Sequence, residues 1–156
     1  MEVSVRLRFT TPCLGNERRE QRDLMMRSKD GNVVFLQSWW RCSLAFAAKA
    51  MGRFTSEVEQ IQADPEIRGN AKIYRRWYSS SSFKDHEAFL VGDEIEARLW
   101  LPNGISPDDL KRLLEIAGKY VGLSPYGYKQ DFGRFAVVSV EQVGGKREVQ
   151  KETGGH

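Results

Sequence analysis

The sequence predicts an α+β fold, and three stretches predict it. Residues 2–10 alternate: Val3, Val5, Leu7 and Phe9 point one way, and Glu2, Ser4, Arg6, Arg8 and Thr10 the other. That period of two marks a half-buried strand. Further on, Ser106-Pro107-Asp108-Asp109 opens a stripe of Leu110, Leu113, Leu114, Ala117 and Val121 at helical spacing. The serine oxygen caps an orphan amide, the proline needs none, and the carboxylates face the positive end of the helix dipole. Last, "RFAVVSV" follows a loop bearing Gly122, Gly127 and Gly133 and reads as a closing strand.

The other elements fall between these. "TTPCLGN" ends the first strand, because Pro12 cannot donate to a ladder and Gly15-Asn16 favours a turn. Residues 17–33 are charged and contain Asp30-Gly31-Asn32, a turn signal, so an inserted loop or small hairpin is expected there. Ser38 is placed to cap a helix starting at the two tryptophans. Trp40, Leu44, Ala47, Ala48 and Met51 form its apolar face, and Gly52 its stop. Residues 55–68 suggest a short helix broken by Asp64-Pro65. "NAKIYRRWY" reads as the second strand, and Ser79 to Ser82 as a flexible loop. Ile95, Ala97, Leu99 and Leu101 alternate with Glu94, Glu96, Arg98 and Trp100 in a third strand.

The resulting order is β-α-β-β-α-β, the ferredoxin-like arrangement. It implies a four-stranded antiparallel sheet with two helices on one face and the glycine-rich loop before the last strand. Residues 1–143 form one domain in this reading, and 144–156 a polar, disordered tail.

Composition narrows the function. No apolar run approaches the ~18 residues of a membrane span, and the alternating N-terminus is unlike a signal peptide, so a cytoplasmic protein is expected. Cys13 and Cys42 make no disulfide framework. With His86 and His156 they show no metal-ligand spacing, so neither metal nor cofactor is expected. Net charge is +3, but its distribution says more: "KIYRRWYSSSSFK" carries Lys72, Arg75, Arg76 and Lys84 without an acid, interleaved with Tyr74, Trp77 and Tyr78. That pattern suits a nucleic-acid surface as well as a solvated strand edge. Arg6, Arg8 and Arg98 would share the open sheet face. An RNA-recognition motif would need rings on the first strand, where Ser4, Arg6 and Arg8 stand instead.

Three stretches carry a family resemblance: "VRLRFTTPCLGN", "DGNVVFLQSWWRCSLAFAAKA", and the loop from Val121 to Phe135. They resemble, in turn, the opening strand and turn, the entry to the first helix, and the glycine-rich loop of the RAMP superfamily. These are CRISPR-associated RNA-binding and RNA-processing proteins. Leu123 stands where the family pattern has a second glycine, and Arg134 follows Gly133 where the glycine would repeat. The resemblance implies RNA as a partner, with CRISPR effector subunits as possible partners and a bacterial or phage-infected cell as the setting.

On this reading the loop glycines, Gly122, Gly127 and Gly133, let a phosphate backbone approach main-chain amides. Tyr126 and Tyr128 would stack on bases, and Lys129 and Arg134 would neutralise phosphates. Alternatively the glycines serve only turn geometry and a helix stop. Lys72, Arg76 and the open-face arginines would complete the RNA surface. His86 in "FKDHEAF" is the sole candidate for metal-independent RNA cleavage, with Lys84 and Tyr78 beside it, or is simply a surface histidine. Three functions therefore stand: a non-catalytic RNA-binding module, an endoribonuclease using His86, and a phage-encoded inhibitor that mimics or docks onto a CRISPR effector subunit.

Overall fold

The computed structural model describes residues 1–124 and 131–144. Its strands are β1 (Glu2–Phe9), β2 (Cys13–Leu14), β3 (Glu17–Arg19), β4 (Arg22–Leu24), β5 (Val33–Val34), β6 (Gln62–Ala63), β7 (Glu66–Ile67), β8 (Lys72–Trp77), β9 (Phe83–Phe89), β10 (Glu94–Trp100) and β11 (Phe135–Gln142). Helix α1 spans Gln37–Met51 and α2 spans Pro107–Tyr120. Among the described residues the architecture is mixed α+β, with two α-helices and several largely antiparallel sheets.

The first sheet runs β11-β1-β10-β6, all pairs antiparallel. Alternation sets its register: Val3 faces Leu99, Val5 faces Ala97 and Leu7 faces Ile95, all buried. A slip of one residue would send this whole set into water. Helix α2 begins as its sequence dictates, with Ser106 and Asp109 closing a reciprocal capping box. Leu110, Leu113, Leu114 and Ala117 bury its stripe. Gly118 lets the helix lie directly on β11, because a Cβ there would overlap the Phe135 carbonyl oxygen.

Helix α1 departs from its expected start. It begins at Gln37, after Leu36, with no side-chain cap; Ser38 lies inside it. The Gln37 amide instead bridges to the Ile61 carbonyl (2.8 Å) and the Ala63 amide (2.9 Å). That tertiary contact fixes the helix start where a local cap was expected. Trp40, Leu44, Ala47 and Ala48 are buried, and Gly52 ends the helix at φ 69°.

The larger correction concerns the second strand. "KIYRRW" is a strand, β8, but it pairs with β9 in a second sheet, away from β10. The place beside β10 is taken by the two residues of β6, which Asp64-Pro65 cuts short. The reason is chemical. A strand over the helices needs one apolar face, whereas either parity of β8 carries a cation: Lys72 and Arg76 on one, Arg75 on the other. The serine run is the turn of this β8–β9 hairpin, closed by Tyr78 N–H donating to the Ser82 carbonyl (2.9 Å).

On the far edge of β9 sit β2 and the small β3–β4 hairpin expected among residues 17–33. Its β4 meets β9 in parallel, with Asp23 opposite His86. Phe89 of β9 stacks on Phe9 of β1 at 5.6 Å and takes the edge of Phe35 at 6.1 Å, so one core holds both sheets. A third, two-stranded sheet pairs β5 with β7.

Candidate nucleic-acid interface

The open face of the first sheet collects Arg6, Arg8 and Arg98 as the alternation requires, all exposed. It also collects their neutralisers. Arg8 Nη2 lies 2.9 Å from Glu94 Oε2, Arg98 Nη1 lies 2.8 Å from Glu2 Oε2, and Arg6 stands opposite Glu96. The Ser4 hydroxyl donates to Glu96 at 2.9 Å. Exposed pairs of this kind contribute little stability, but they leave the face close to neutral. The signal was in the sequence: Glu94 and Glu96 have the same parity as Arg98.

The β8–β9 hairpin is different. Trp77 is 56 % exposed, Tyr78 55 % and Phe83 46 %. The Trp77 and Phe83 rings meet at 5.0 Å, and the Arg75 guanidinium lies 3.9 Å from the Phe83 centroid. Arg75 is held there by Asp85 at 2.9 Å, whose carboxyl this hydrogen bond pulls below its ordinary range. On the other face, the Arg76 guanidinium lies 5.1 Å from the Tyr78 ring and also 5.1 Å from Phe132, beside the glycine loop. Lys72 pairs with Asp93 at 2.6 Å.

The glycine loop is described only at its stem; Tyr126, Gly127, Tyr128 and Lys129 lie outside the described residues. Gly122 and Gly133 both have positive φ, 84° and 77°. Their amides are committed inward. Gly122 N–H donates to Ala117 O (2.7 Å), Leu123 N–H to Gly133 O (2.8 Å), Gly133 N–H to Pro12 O (2.8 Å) and Arg134 N–H to Thr11 Oγ1 (2.9 Å). The Cys13 thiol donates to Leu123 O at 3.1 Å, and Ser43 Oγ donates to Gly122 O. Burial pushes the Cys13 thiol far up, so it keeps the proton it donates. The anion-nest expectation therefore fails at the stem: these amides are satisfied within the protein, and the glycines clamp the loop's neck. Arg134 pairs with Asp131 at 2.6 Å and donates to the Lys119 carbonyl.

His86 is no surface histidine: it is wholly buried. Nδ1 is 2.8 Å from the Gly15 carbonyl, and Asp23 Oδ2 is 3.9 Å away. Burial lowers its pKa, against the Gly15 bond and the Asp23 charge, so the ring is neutral near pH 7 and Nδ1–H is the donor. Asp23 also receives Arg18 and Lys84, each at 3.3 Å. Burial works to raise its carboxyl, but the hydrogen bonds from Arg18 and Lys84 outweigh that and lower it. Lys84 is thus tied down, and His86 bolts the residue after β2 and Asp23 of β4 to β9 in the interior. Among the described residues no three His, Cys, Asp or Glu side chains gather to hold a metal, and no helix is long and apolar enough to cross a membrane.

No protein-family model matches the chain, and no curated protein matches it. Solved structures do. A chain of the Type III-B Cmr-beta complex bound to cognate target RNA superposes with a TM-score of 0.57 at 9 % identity, over 90 % of this chain and 59 % of that one. The present chain thus spans less than two thirds of that neighbour's length. A chain of a Type IV-B CRISPR complex superposes with a TM-score of 0.58, also at 9 % identity, over 92 % of both chains. This protein therefore has the fold of chains found in CRISPR complexes.

Proposed function

We propose that the protein binds RNA without cleaving it, as a reduced ferredoxin-like unit of the RAMP kind. The surface is the Lys72- and Arg76-bearing side of the β8–β9 hairpin together with the glycine loop. One observation carries this reading: the Arg76 guanidinium sits between the rings of Tyr78 and Phe132, so the basic-aromatic hairpin and the loop neck form one surface. The proposed contacts Tyr126, Tyr128 and Lys129 fall in the sequence between Gly122 and Gly133, and Arg134 follows directly after. Guanidinium-on-ring pairs next to a basic strand suit bases and phosphates together. The RNA in the Cmr-beta structure supports the choice of ligand.

A second reading is assembly with CRISPR effector subunits, as a component or as an inhibitor that imitates one. The near-equal length match to a chain of the Type IV-B complex favours it. Recovery of the tagged protein's partners from a host lysate, with and without RNase, separates the two. RNA-dependent recovery supports RNA binding; recovery of effector subunits that survives RNase supports assembly.

A further inference from the structure

The hairpin has a second face, which the surface just described does not use. Ile73, Arg75 and Trp77 of β8 share it with Phe83 and Asp85 of β9. Because Asp23 of β4 is level with buried His86, the neighbouring Arg22 turns to this outer face beside Asp85. A cleft of about 470 Å³ opens at the edge of this face, between β9, with Phe83, Lys84 and Asp85, and the β3–β4 hairpin, with Arg18, Glu20 and Arg22. The turn at its mouth is strained: Glu20 and Gln21 hold φ 51° and 65°, in the left-handed region where such a hairpin turn prefers glycine or asparagine. Strain kept at a surface turn points to a task for that turn.

Resting on the RNA reading, we propose that this cleft and the Trp77–Phe83 ring pair at its edge form a stacking platform for an unpaired nucleotide. Its base lies on the Trp77–Phe83 ring pair, and its phosphate is held by Arg22. Three features select this ligand. The rings are half exposed and already oriented at 5.0 Å by each other, with Arg75 fixed over Phe83 by Asp85. Arg22 makes no ion pair among the described residues, although its charge acts on Asp85, while Arg18 and Lys84 are held by the Asp23 carboxylate and leave the phosphate to Arg22. A duplex hides its base faces in its own stack, so only a single strand can offer one to a protein ring. A protein partner would find the apolar patch of Ile73, Trp77 and Phe83 interrupted by guanidinium groups.

The test is a titration of the full chain with an unstructured single-stranded RNA of mixed sequence and with a duplex of equal length, following anisotropy and tryptophan fluorescence. The single strand should quench fluorescence and the duplex should not. In Trp77→Phe, which keeps a ring, binding should persist while most of the quenching disappears, leaving Trp39, Trp40 and Trp100 as reporters. In Trp77→Ala/Phe83→Ala, affinity for the single strand should fall about 5- to 150-fold, the range of one lost base-stacking contact. Both side chains are half exposed, and an unchanged circular dichroism spectrum verifies folding. If Trp77→Phe quenches like the wild type, or the double variant binds like it, the platform is overturned and the patch becomes a protein-contact surface, while RNA binding stands. If the wild type binds neither RNA, the RNA reading falls and the platform with it.

Discussion

Gly122 and Gly133 are locked against each other across the neck of the loop. The Leu123 amide donates to the Gly133 carbonyl at 2.8 Å, and a Cβ on Gly122 would come to 2.5 Å from that same oxygen. A Cβ on Gly133 would overlap the Leu123 carbonyl oxygen. Neither glycine has room for a side chain, and both hold a φ that disfavours one.

Gly133→Val is therefore expected to damage folding before it can report on RNA. Left-handed strain alone costs about 1–3 kcal/mol at a non-glycine residue, and displaced backbone adds to it. Urea unfolding should show Gly122→Ala and Gly133→Val each losing at least ~2 kcal/mol, on the same basis. Wild-type stability in both would mean that the neck is not clamped as described. Substitutions at Tyr126, Tyr128 or Lys129 are the ones that probe RNA contact.

His86 gives the chain a stability that mild acid removes. Burial holds its folded pKa below the unfolded value of ~6.5, so its contribution is complete above that pH. As pH falls from there through the folded value, the unfolded state takes up a proton the folded state refuses. Stability should fall by up to about 1.4 kcal/mol per pH unit. Asp23, whose folded pKa is also depressed, adds its own loss only below the carboxylate range, as pH falls under ~3.9. Denaturant midpoints from pH 7 to pH 5 should drop in the wild type and flatten in His86→Gln. Equal slopes would remove His86 as the cause. The same buried ring predicts no 2′,3′-cyclic phosphate ends when RNA is incubated with the protein in EDTA; their appearance would return His86 to the list of catalytic groups.

Arg8 and Arg98 test whether the first sheet's open face meets RNA. Each already has a carboxylate partner, Glu94 and Glu2. Replacing both with glutamine should change the slope of log affinity against log salt by much less than the roughly 1.4 units that two phosphate contacts would give on a single strand. A change of that full size would make this face part of the RNA surface.

What could be read in advance was what local pattern determines. The alternation of Val3, Val5, Leu7 and Phe9 announced β1, and Ser106-Pro107-Asp108-Asp109 announced α2, because parity and caps act within a few residues. The placement of β8 was not legible: its preference for β9 depends on a partner strand whose "FKDHEAF" has no regular alternation. The start of α1 depends on Ile61 and Ala63, far along the chain from Gln37. The loop glycines were recognised, with turn geometry and a helix stop as one reading, but the sequence did not decide between that and an anion nest. Whether an amide faces a ligand or Pro12 and Ala117 is decided by what packs against the neck. The neutrality of the first sheet's open face, by contrast, was readable from the shared parity of Glu94, Glu96 and Arg98.

If Arg76 joins hairpin and loop into one RNA surface, as proposed, the salt dependence of binding to an unstructured single strand by the wild type and by Arg76→Gln/Lys129→Gln will report it. Binding by the wild type should be salt-dependent, and the double variant's slope should be lower by about 1.4, with the folded spectrum retained. An unchanged slope, or no salt-dependent binding by the wild type, would contradict it.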